Sequence, residues 1–357
     1  MSIYAVMGAG NGGQALAAIL KTKGNEVRLW NRSKEKLDAI RKGHGIKVSG
    51  QMNFHAMIDL LTDNVCTAIE NSKIIFVVLP ANAHLDVAKL IAPHIKCDQA
   101  IILNPGRTAG ALDVRNALLD AGCNDLPIIL ETQSLFCACR ADRPGNVNIL
   151  SFKKDNSISC IPKACLDKVK SELYYIYENI IFTPSVLHTS MENIGAILHP
   201  APVLLNTGWI ESRDVFFPHY YYGISKSIAR FIEKMDMERL AVAEKYGVQV
   251  RSVKKWHEDN YGTEGSNLYE TLQKNSAYAS IDAPRIMTHR YITEDIPTGL
   301  VPISELGRAA GIKTPMIDMI IQLGTALLGI DFRKEGRNLK RLGLTGKTIG
   351  EIKQAFE

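Results

Sequence analysis

Two polar segments in the second half of this 357-residue chain carry side chains that can move protons. The first, residues 187–200, contains His188, Glu192 and His199. On a continuous helix these three residues would share one stripe with Gly195, because Glu192, Gly195 and His199 lie four, seven and eleven residues beyond His188. Histidine exchanges protons near neutral pH, so His199 is a candidate acid–base group.

Pro200 follows His199 directly. A proline inside a helix removes a backbone hydrogen bond, so we expect a kink that can turn the His199 ring into a cleft. Two alternatives stay open at this point. A histidine can serve packing alone, and His188, Glu192 and His199 could bind a metal, although their spacing matches no standard zinc motif.

The second segment, residues 288–299, carries His289, Arg290, Glu294 and Asp295. A guanidinium such as that of Arg290 can bind a substrate carboxylate, and an acid can orient a histidine. An exposed loop would carry the same charges without any function, so the pattern alone favours neither interpretation.

The N-terminal stretch from Ile3 to Gly13 predicts a dinucleotide-binding turn. Its glycines follow the spacing G-x-G-x-x-G between an apolar run and a helical pattern over residues 14–23. The amide groups at the start of that helix can bind phosphates. We assign cofactor binding to the residues of this turn, namely Gly8, Gly10, Asn11, Gly12 and Gly13.

The end of the second predicted strand, Glu26 to Trp30, bears on the choice of cofactor. An NAD site usually places an acid here to bind the ribose hydroxyl, whereas this chain has Asn31, Arg32, Ser33 and Lys34. These side chains suit a 2′-phosphate, so the sequence favours NADP(H), with NAD(H) also possible. The alternative is an ordinary solvated helix start.

Apolar runs alternate with helical patterns as far as Pro184 and predict an α/β Rossmann domain over residues 1–184. The runs 74–79 and 100–103 are unbroken, as in buried parallel strands. They end at Pro80 and at Asn104–Pro105, which we place beside the nicotinamide ribose. Further strands are expected at 47–50, 53–56, 127–130, 147–152 and 180–183, and a helix at 164–177.

Residues 185–357 predict an all-α domain, with a substrate cleft between the two domains. Its helices are expected at 185–209, 224–246, 250–258, 304–311, 315–328 and 346–356.

Composition narrows the class of protein. The chain is 46% hydrophobic and 22% charged, with a net charge of +5, which is too small and dispersed to indicate nucleic-acid binding. No apolar stretch is long enough for a membrane span, and Met1 leads directly into the first strand, so we expect a cytoplasmic protein. Cys137-x-Cys139 lacks metal-binding spacing, so we expect reduced thiols and no metal.

Several of these motifs, taken in one order, resemble the opine dehydrogenase family, which includes octopine and nopaline dehydrogenases. The resemblance rests on Gly8 to Gly13 and on four further segments, residues 101–106, 187–200, 298–308 and 331–337.

The resemblance implies a reductive condensation of an L-amino acid with a 2-oxo acid such as pyruvate, driven by a reduced nicotinamide. It also implies a C-terminal domain of the 6-phosphogluconate-dehydrogenase-like type and a homodimer. The family's catalytic histidine and its paired acid match His199 and Asp295, and Arg290 matches a carboxylate-binding residue. We also assign Asn193 to substrate binding.

Two other functions remain to be weighed. One is a 2-oxo-acid reductase of the ketopantoate reductase or glycerol-3-phosphate dehydrogenase type. Those enzymes commonly use a lysine on the helix that opens the second domain, and residues 188–206 contain none. The other is a non-catalytic NADPH sensor.

Overall fold

The structure is a computed structural model that describes residues 2–177, 179–212, 214–279 and 281–357. Its contacts divide the chain into two compact units. The first extends to Thr189 and also includes Phe356–Glu357, and the second comprises Ser190–Ala355.

The first unit alternates strands and helices. Its strands are β1 (Ile3–Met7), β2 (Glu26–Trp30), β3 (Ile46–Gly50), β4 (Phe54–Ala56), β5 (Leu60–Thr62), β6 (Ile74–Val77), β7 (Ala100–Leu103), β8 (Ile128–Thr132), β9 (Cys137–Arg143), β10 (Asn146–Phe152), β11 (Asn156–Ile161) and β12 (Ile180–Phe182). Its helices are α1 (Asn11–Thr22), α2 (Lys34–Lys42), α3 (Val65–Ile69), α4 (His84–Ile91), α5 (Gly110–Asp120) and α6 (Leu166–Ile176).

The larger sheet has the strand order β12-β11-β8-β7-β6-β1-β2-β5. The strands from β8 to β5 are parallel, and β11 pairs with β8 in the antiparallel sense. Every residue of β6 and β7 is buried, as the unbroken apolar runs predict. The carboxyl ends of β1, β2, β6 and β7 therefore meet at one edge, where ligands bind in such sheets.

A smaller sheet, of order β4-β3-β10-β9, is a separate layer that the sequence did not distinguish from the main sheet. The strands expected at 47–50, 53–56 and 147–152 do form, but they belong to this smaller sheet. Three further strands, β5, β9 and β11, were not predicted from the sequence. β5 is three residues long, and the exposed half of β9 carries charged side chains. β11 begins with two buried polar residues, Asn156 and Ser157, which obscure an apolar pattern.

The second unit is helical. Its helices are α8 (Ile194–Leu198), α9 (Pro200–Leu205), α10 (Thr207–Ile210), α11 (Lys226–Lys245), α12 (Val253–Tyr261), α13 (Leu268–Gln273), α14 (Arg290–Thr293), α15 (Val301–Ala309), α16 (Pro315–Leu328), α17 (Phe332–Glu335) and α18 (Ile349–Ala355), and α7 (Val186–Met191) contains the boundary between the units. A π-helical turn, Ile296–Leu300, precedes α15. Within the described ranges, none of the helices is both long and apolar enough to cross a bilayer.

The single helix expected over residues 185–209 is wrong. The side chain of Asn193 accepts a hydrogen bond from the Ala196 amide at 3.3 Å and begins a new helix, α8. The stripe of His188, Glu192, Gly195 and His199 on one continuous helix therefore does not form. The kink at Pro200 is confirmed, because α8 ends at Leu198 and α9 begins at Pro200.

Candidate active site

The glycine turn between β1 and α1 leaves no room for a side chain at two of its positions, Gly8 and Gly13. Gly8 has φ +117°, and a Cβ atom there would lie 2.7 Å from the Val78 carbonyl oxygen. A Cβ at Gly13 would lie only 1.7 Å from the Gly8 carbonyl oxygen. Among the described residues, none caps the start of α1 with its side chain, and the first amide groups of the helix suit phosphate binding.

Gly10 differs from Gly13, because a Cβ atom at Gly10 would have no neighbour within 4 Å. We expect Gly13→Ala to destabilise the free protein by at least about 2 kcal/mol, since two backbone segments would have to separate. Gly10→Ala should change the free energy of unfolding by less than about 0.5 kcal/mol. It should nevertheless weaken cofactor binding at least about tenfold, because the backbone there must approach the pyrophosphate.

Urea unfolding without cofactor and a fluorescence titration with NADPH measure these two effects. A Gly13→Ala protein as stable as wild type would contradict the first expectation. Unchanged NADPH affinity in Gly10→Ala would contradict the second.

Most of the residues after β2 are already engaged with protein groups. Asn31 is buried, and its Oδ1 accepts a hydrogen bond from the Ala9 amide at 3.0 Å, which ties this corner to the glycine turn. The Ser33 hydroxyl donates to Glu35 at 2.7 Å, and this bond is the main cause that lowers the pKa of Glu35. Nζ of Lys34 lies 3.2 Å from Oδ2 of Asp63, so these two side chains form an ion pair.

Arg32 is the exception at this corner. Its side chain is exposed, and it has no hydrogen bond or ion pair with any residue in the described part of the chain. Glu35 and Asp63 place negative charge close to the predicted phosphate site, which the prediction of a 2′-phosphate site did not take into account. Glu35 lies only two residues beyond Ser33, so its position in the sequence could have revealed it.

The turns after β6 and β7 differ in exposure. Pro80 is exposed, whereas Asn104 is buried and Pro105 half-buried. The Asn104 side chain donates to the Tyr177 hydroxyl at 2.9 Å and accepts from the Thr132 hydroxyl at 3.1 Å. Asn104 thus fixes the shape of its turn at the ligand edge of the sheet.

In the second unit, His199 and Asp295 form a hydrogen-bonded pair. The Nδ1 atom of His199 lies 2.8 Å from Oδ2 of Asp295. The Asp295 side chain is fully buried, while that of His199 is 18% exposed. A carboxylate at Nδ1 favours the tautomer with its proton on that nitrogen, which leaves Nε2 as the basic atom. Nε2 makes no hydrogen bond to any described residue.

Both residues of this pair lie where helical structure is interrupted. His199 lies between α8 and α9, and Asp295 directly precedes the π-helical turn. A Cβ atom at Gly299 of this turn would lie 2.4 Å from the Cβ of Ala196. Glycine therefore allows the turn to pack directly on α8, and the two elements bring His199 and Asp295 together although they are 96 residues apart.

The two predicted substrate-binding residues differ in exposure. The Arg290 side chain is 53% exposed, and its Nε lies 3.1 Å from Oε2 of the buried Glu294. Asn193 is buried, and its side-chain oxygen caps α8. The structure thus gives Asn193 a structural contact, and its role in substrate binding stays a prediction.

An aromatic cluster that the sequence analysis missed surrounds His199. The ring of Tyr291 stacks on His199 with centroids 4.1 Å apart and an interplanar angle of 18°. His289 and His219 also contact the Tyr291 ring, at centroid distances of 4.6 and 5.2 Å. His289 and Tyr291 lie in the polar segment around Asp295, whereas no sequence signal connects His219 with His199.

His219 is neutral in the folded protein. Burial, and then the nearby His199 and His289, lowers the pKa of His219 to about 3. In the unfolded chain a histidine titrates near pH ~6.5. Between these values the unfolded state binds a proton that the folded state does not, so stability is complete above about pH 6.5 and falls as the pH is lowered.

We expect His219→Phe to remove this part of the pH dependence. Relative to the variant, the wild-type protein should lose at most about 2 kcal/mol of stability between pH ~6.5 and ~5. Urea unfolding of both proteins at the two pH values measures the difference. Identical pH dependence would contradict a neutral buried His219.

Across the described ranges, no group of three or more His, Cys, Asp or Glu side chains is arranged to hold a metal ion. Each unit thus carries its own candidate groups, the predicted phosphate-binding turn in the first unit and the His199–Asp295 pair in the second.

Comparison with protein families matches both parts of the chain. Residues 182–328 match the family model of the NAD/NADP octopine/nopaline dehydrogenase α-helical domain. Residues 4–106 match that of the NAD-dependent glycerol-3-phosphate dehydrogenase N-terminus. The chain is 39% identical to an opine dehydrogenase of Arthrobacter sp. (strain 1C) over 99% of this chain and 98% of the relative.

Solved structures agree in fold. An octopine dehydrogenase structure with NADH and L-arginine aligns with a TM-score of 0.83 and 21% identity, over 100% of this chain and 99% of that one. A yersinopine dehydrogenase structure with NADP⁺ aligns with a TM-score of 0.72 and 14% identity, over 100% of this chain and 98% of that one. The predicted Rossmann domain followed by a helical domain is confirmed.

Proposed function

Because this chain belongs to the opine dehydrogenase family, we propose that it joins the amine of an L-amino acid to a 2-oxo acid such as pyruvate. The resemblance drawn from the motifs is confirmed, and the chain is an NAD(P)-dependent oxidoreductase that acts on CH–NH groups. The family match supports the proposed substrate class, and the observation that supports the acid–base reaction is the His199–Asp295 contact of 2.8 Å.

The pair suits both proton transfers of the condensation. Nε2 of His199 takes a proton from the substrate ammonium, and the free amine attacks the carbonyl carbon of the oxo acid. A proton passes from the attacking nitrogen to the former carbonyl oxygen and gives a carbinolamine. The imidazolium then returns its proton to that hydroxyl group, which leaves as water and gives a protonated imine. Asp295 stabilises the positive ring in the interval. A reduced nicotinamide, when bound, would supply the hydride that converts the protonated imine to a secondary amine.

Both substrates carry carboxylates, and we propose that Arg290 binds one of them. Its guanidinium is half-exposed and precedes Asp295 by five residues, so a carboxylate could exchange with or join its pairing to Glu294. We retain Asn193 as a second substrate-binding residue, since it caps the start of α8, the helix that ends directly before His199.

We propose NADP(H) as the preferred cofactor on the strength of Arg32. This exposed cation has no partner in the described ranges and follows β2, where the ribose phosphate of NADP would lie. Glu35 and Asp63 oppose the preference, because they already bind the Ser33 hydroxyl and the Lys34 ammonium group, which a phosphate would need. NADH is therefore the competing cofactor.

Titration of the wild-type protein with both cofactors tests this preference. We expect NADPH to bind more tightly than NADH, and Arg32→Ala to weaken NADPH binding roughly tenfold, since a charge-assisted hydrogen bond is lost. NADH affinity should not change. Tighter binding of NADH by the wild-type protein would overturn the preference.

Cofactor oxidation with pyruvate, with and without a panel of L-amino acids, tests the proposed reaction. Oxidation that requires both substrates supports it. Oxidation with a 2-oxo acid alone would favour a ketopantoate reductase or glycerol-3-phosphate dehydrogenase type of enzyme. The family match to the latter is confined to residues 4–106, a part of the first unit. Cofactor binding without oxidation would favour a sensor.

We further propose a cytoplasmic homodimer with a cofactor domain over residues 1–184 and a substrate-binding and dimerisation domain over 185–357. Seven free thiols suit a reducing compartment. Exposed apolar side chains of the second unit, including Trp209, Phe216 and Met319, suit contact with a second copy. Light scattering of the purified protein tests the dimer.

A further inference from the structure

The ring of Tyr291 covers one face of the His199 imidazole. The two rings are nearly parallel, with centroids 4.1 Å apart, while Asp295 occupies the edge of the imidazole at Nδ1. Tyr291 precedes Asp295 by four residues, so α14 and the turn after it deliver both the ring and the carboxylate. His199 is thus held at one edge and one face, and its Nε2 remains available.

The other titratable groups near this stack add little positive charge. Burial lowers the pKa of both His219 and His289, so these two rings are neutral near pH ~7. The guanidinium of Arg290 is paired with Glu294. The groups that face a proton on His199 are therefore the Asp295 carboxylate and the Tyr291 ring.

We propose, on the basis of the function inferred above, that Tyr291 is a positioning residue that stabilises protonated His199. The face of an aromatic ring carries negative potential and attracts a cation stacked on it. During the condensation, His199 is positively charged between taking the ammonium proton and releasing it to the hydroxyl. The stack favours this state and also restricts rotation of the imidazole away from the substrate.

The hydroxyl of Tyr291 has a separate role in this arrangement. It shares a hydrogen bond with Tyr220, whose ring stacks on Tyr278 with centroids 4.0 Å apart. The phenol contacts fix the Tyr291 ring, whereas the ring face acts on His199. A phenylalanine at position 291 would keep the face and lose the hydroxyl.

Three variants separate these contributions. Tyr291→Leu removes the aromatic face, Tyr291→Phe keeps it, and Tyr246→Leu is a matched control. Tyr246 is a buried tyrosine of the second unit whose hydroxyl donates to Leu306, outside the cluster around His199. Tyr291→Met replaces the leucine variant if the latter unfolds.

The measurement is the titration midpoint of the His199 imidazole, followed by NMR in the protein without substrate. We expect Tyr291→Leu to lower the midpoint by roughly half to one pH unit relative to wild type. In Tyr291→Phe and in Tyr246→Leu, the titration midpoint of His199 should equal that of the wild type. In the amine-dependent reaction, the acidic limb of the kcat/KM profile should move by the same amount in Tyr291→Leu.

Equal midpoints in wild type and Tyr291→Leu would overturn the proposal. An equal shift in Tyr291→Phe would also overturn it, because the hydroxyl and not the ring face would then be responsible, and so would an equal shift in Tyr246→Leu. If the wild-type protein shows no amine-dependent oxidation, the proposed function fails, but the NMR titration still tests the stack.

Discussion

The His199→Ala variant is expected to lose amine-dependent turnover by roughly 10²- to 10⁴-fold, which is the usual contribution of a general acid–base group. Without the imidazole, nothing at this position takes the ammonium proton or protonates the leaving hydroxyl. His199 and the glycine turn belong to different compact units. NADPH affinity measured by fluorescence should therefore equal that of the wild type.

Single-turnover measurements with saturating substrates distinguish this loss from slow product release. His94→Ala is the matched control, since His94 is an exposed histidine of the first unit, and it should keep the wild-type rate. A His199→Ala protein with a near wild-type rate would refute the acid–base role. Loss of both rate and NADPH binding would show a general structural defect instead.

The Asp295→Asn variant should lose roughly 10²- to 10⁴-fold in kcat while remaining folded. An amide has nearly the same size as the carboxylate, so the packing around this fully buried side chain is preserved. It cannot, however, stabilise a positive imidazolium, and it can hold His199 in the wrong tautomer.

Combining the two substitutions gives a sharper test of the pair. If Asp295 acts only through His199, then Asp295→Asn should cost little additional activity in the His199→Ala background. Asp331→Asn is a control, because Asp331 caps α17 and asparagine caps helices as well as aspartate. Losses that multiply in the double variant would contradict a role through His199.

The sequence predicts the parts of this protein that depend on local chemistry. Gly8 and Gly13 reflect backbone crowding that a larger residue would not tolerate, so these two positions can be read directly from the sequence. Pro200 likewise interrupts its helix whatever the surrounding tertiary structure, because it lacks a backbone N–H. Buried parallel strands such as β6 and β7 can be recognised as unbroken apolar runs in the sequence.

Features that depend on distant contacts could not be predicted. The helical pattern of residues 185–209 is strong, yet the helix is interrupted where the Asn193 side chain caps a new one. An asparagine can lie inside a helix or cap its start, and the local sequence does not decide between the two. His219 joins Tyr291 and His199 only through tertiary packing. Similarly, Arg32, Ser33 and Lys34 look alike as phosphate ligands until Glu35 and Asp63 are seen to occupy two of them.

The central claim is that hydride reaches a carbon bound to nitrogen, and product analysis tests it most directly. The protein is incubated with pyruvate, an L-amino acid that supports oxidation, and NADPH deuterated at the transferable position, and the products are examined by mass spectrometry. We predict a secondary-amine dicarboxylate with one deuterium on the former carbonyl carbon. Deuterated lactate without any amine adduct would contradict the account.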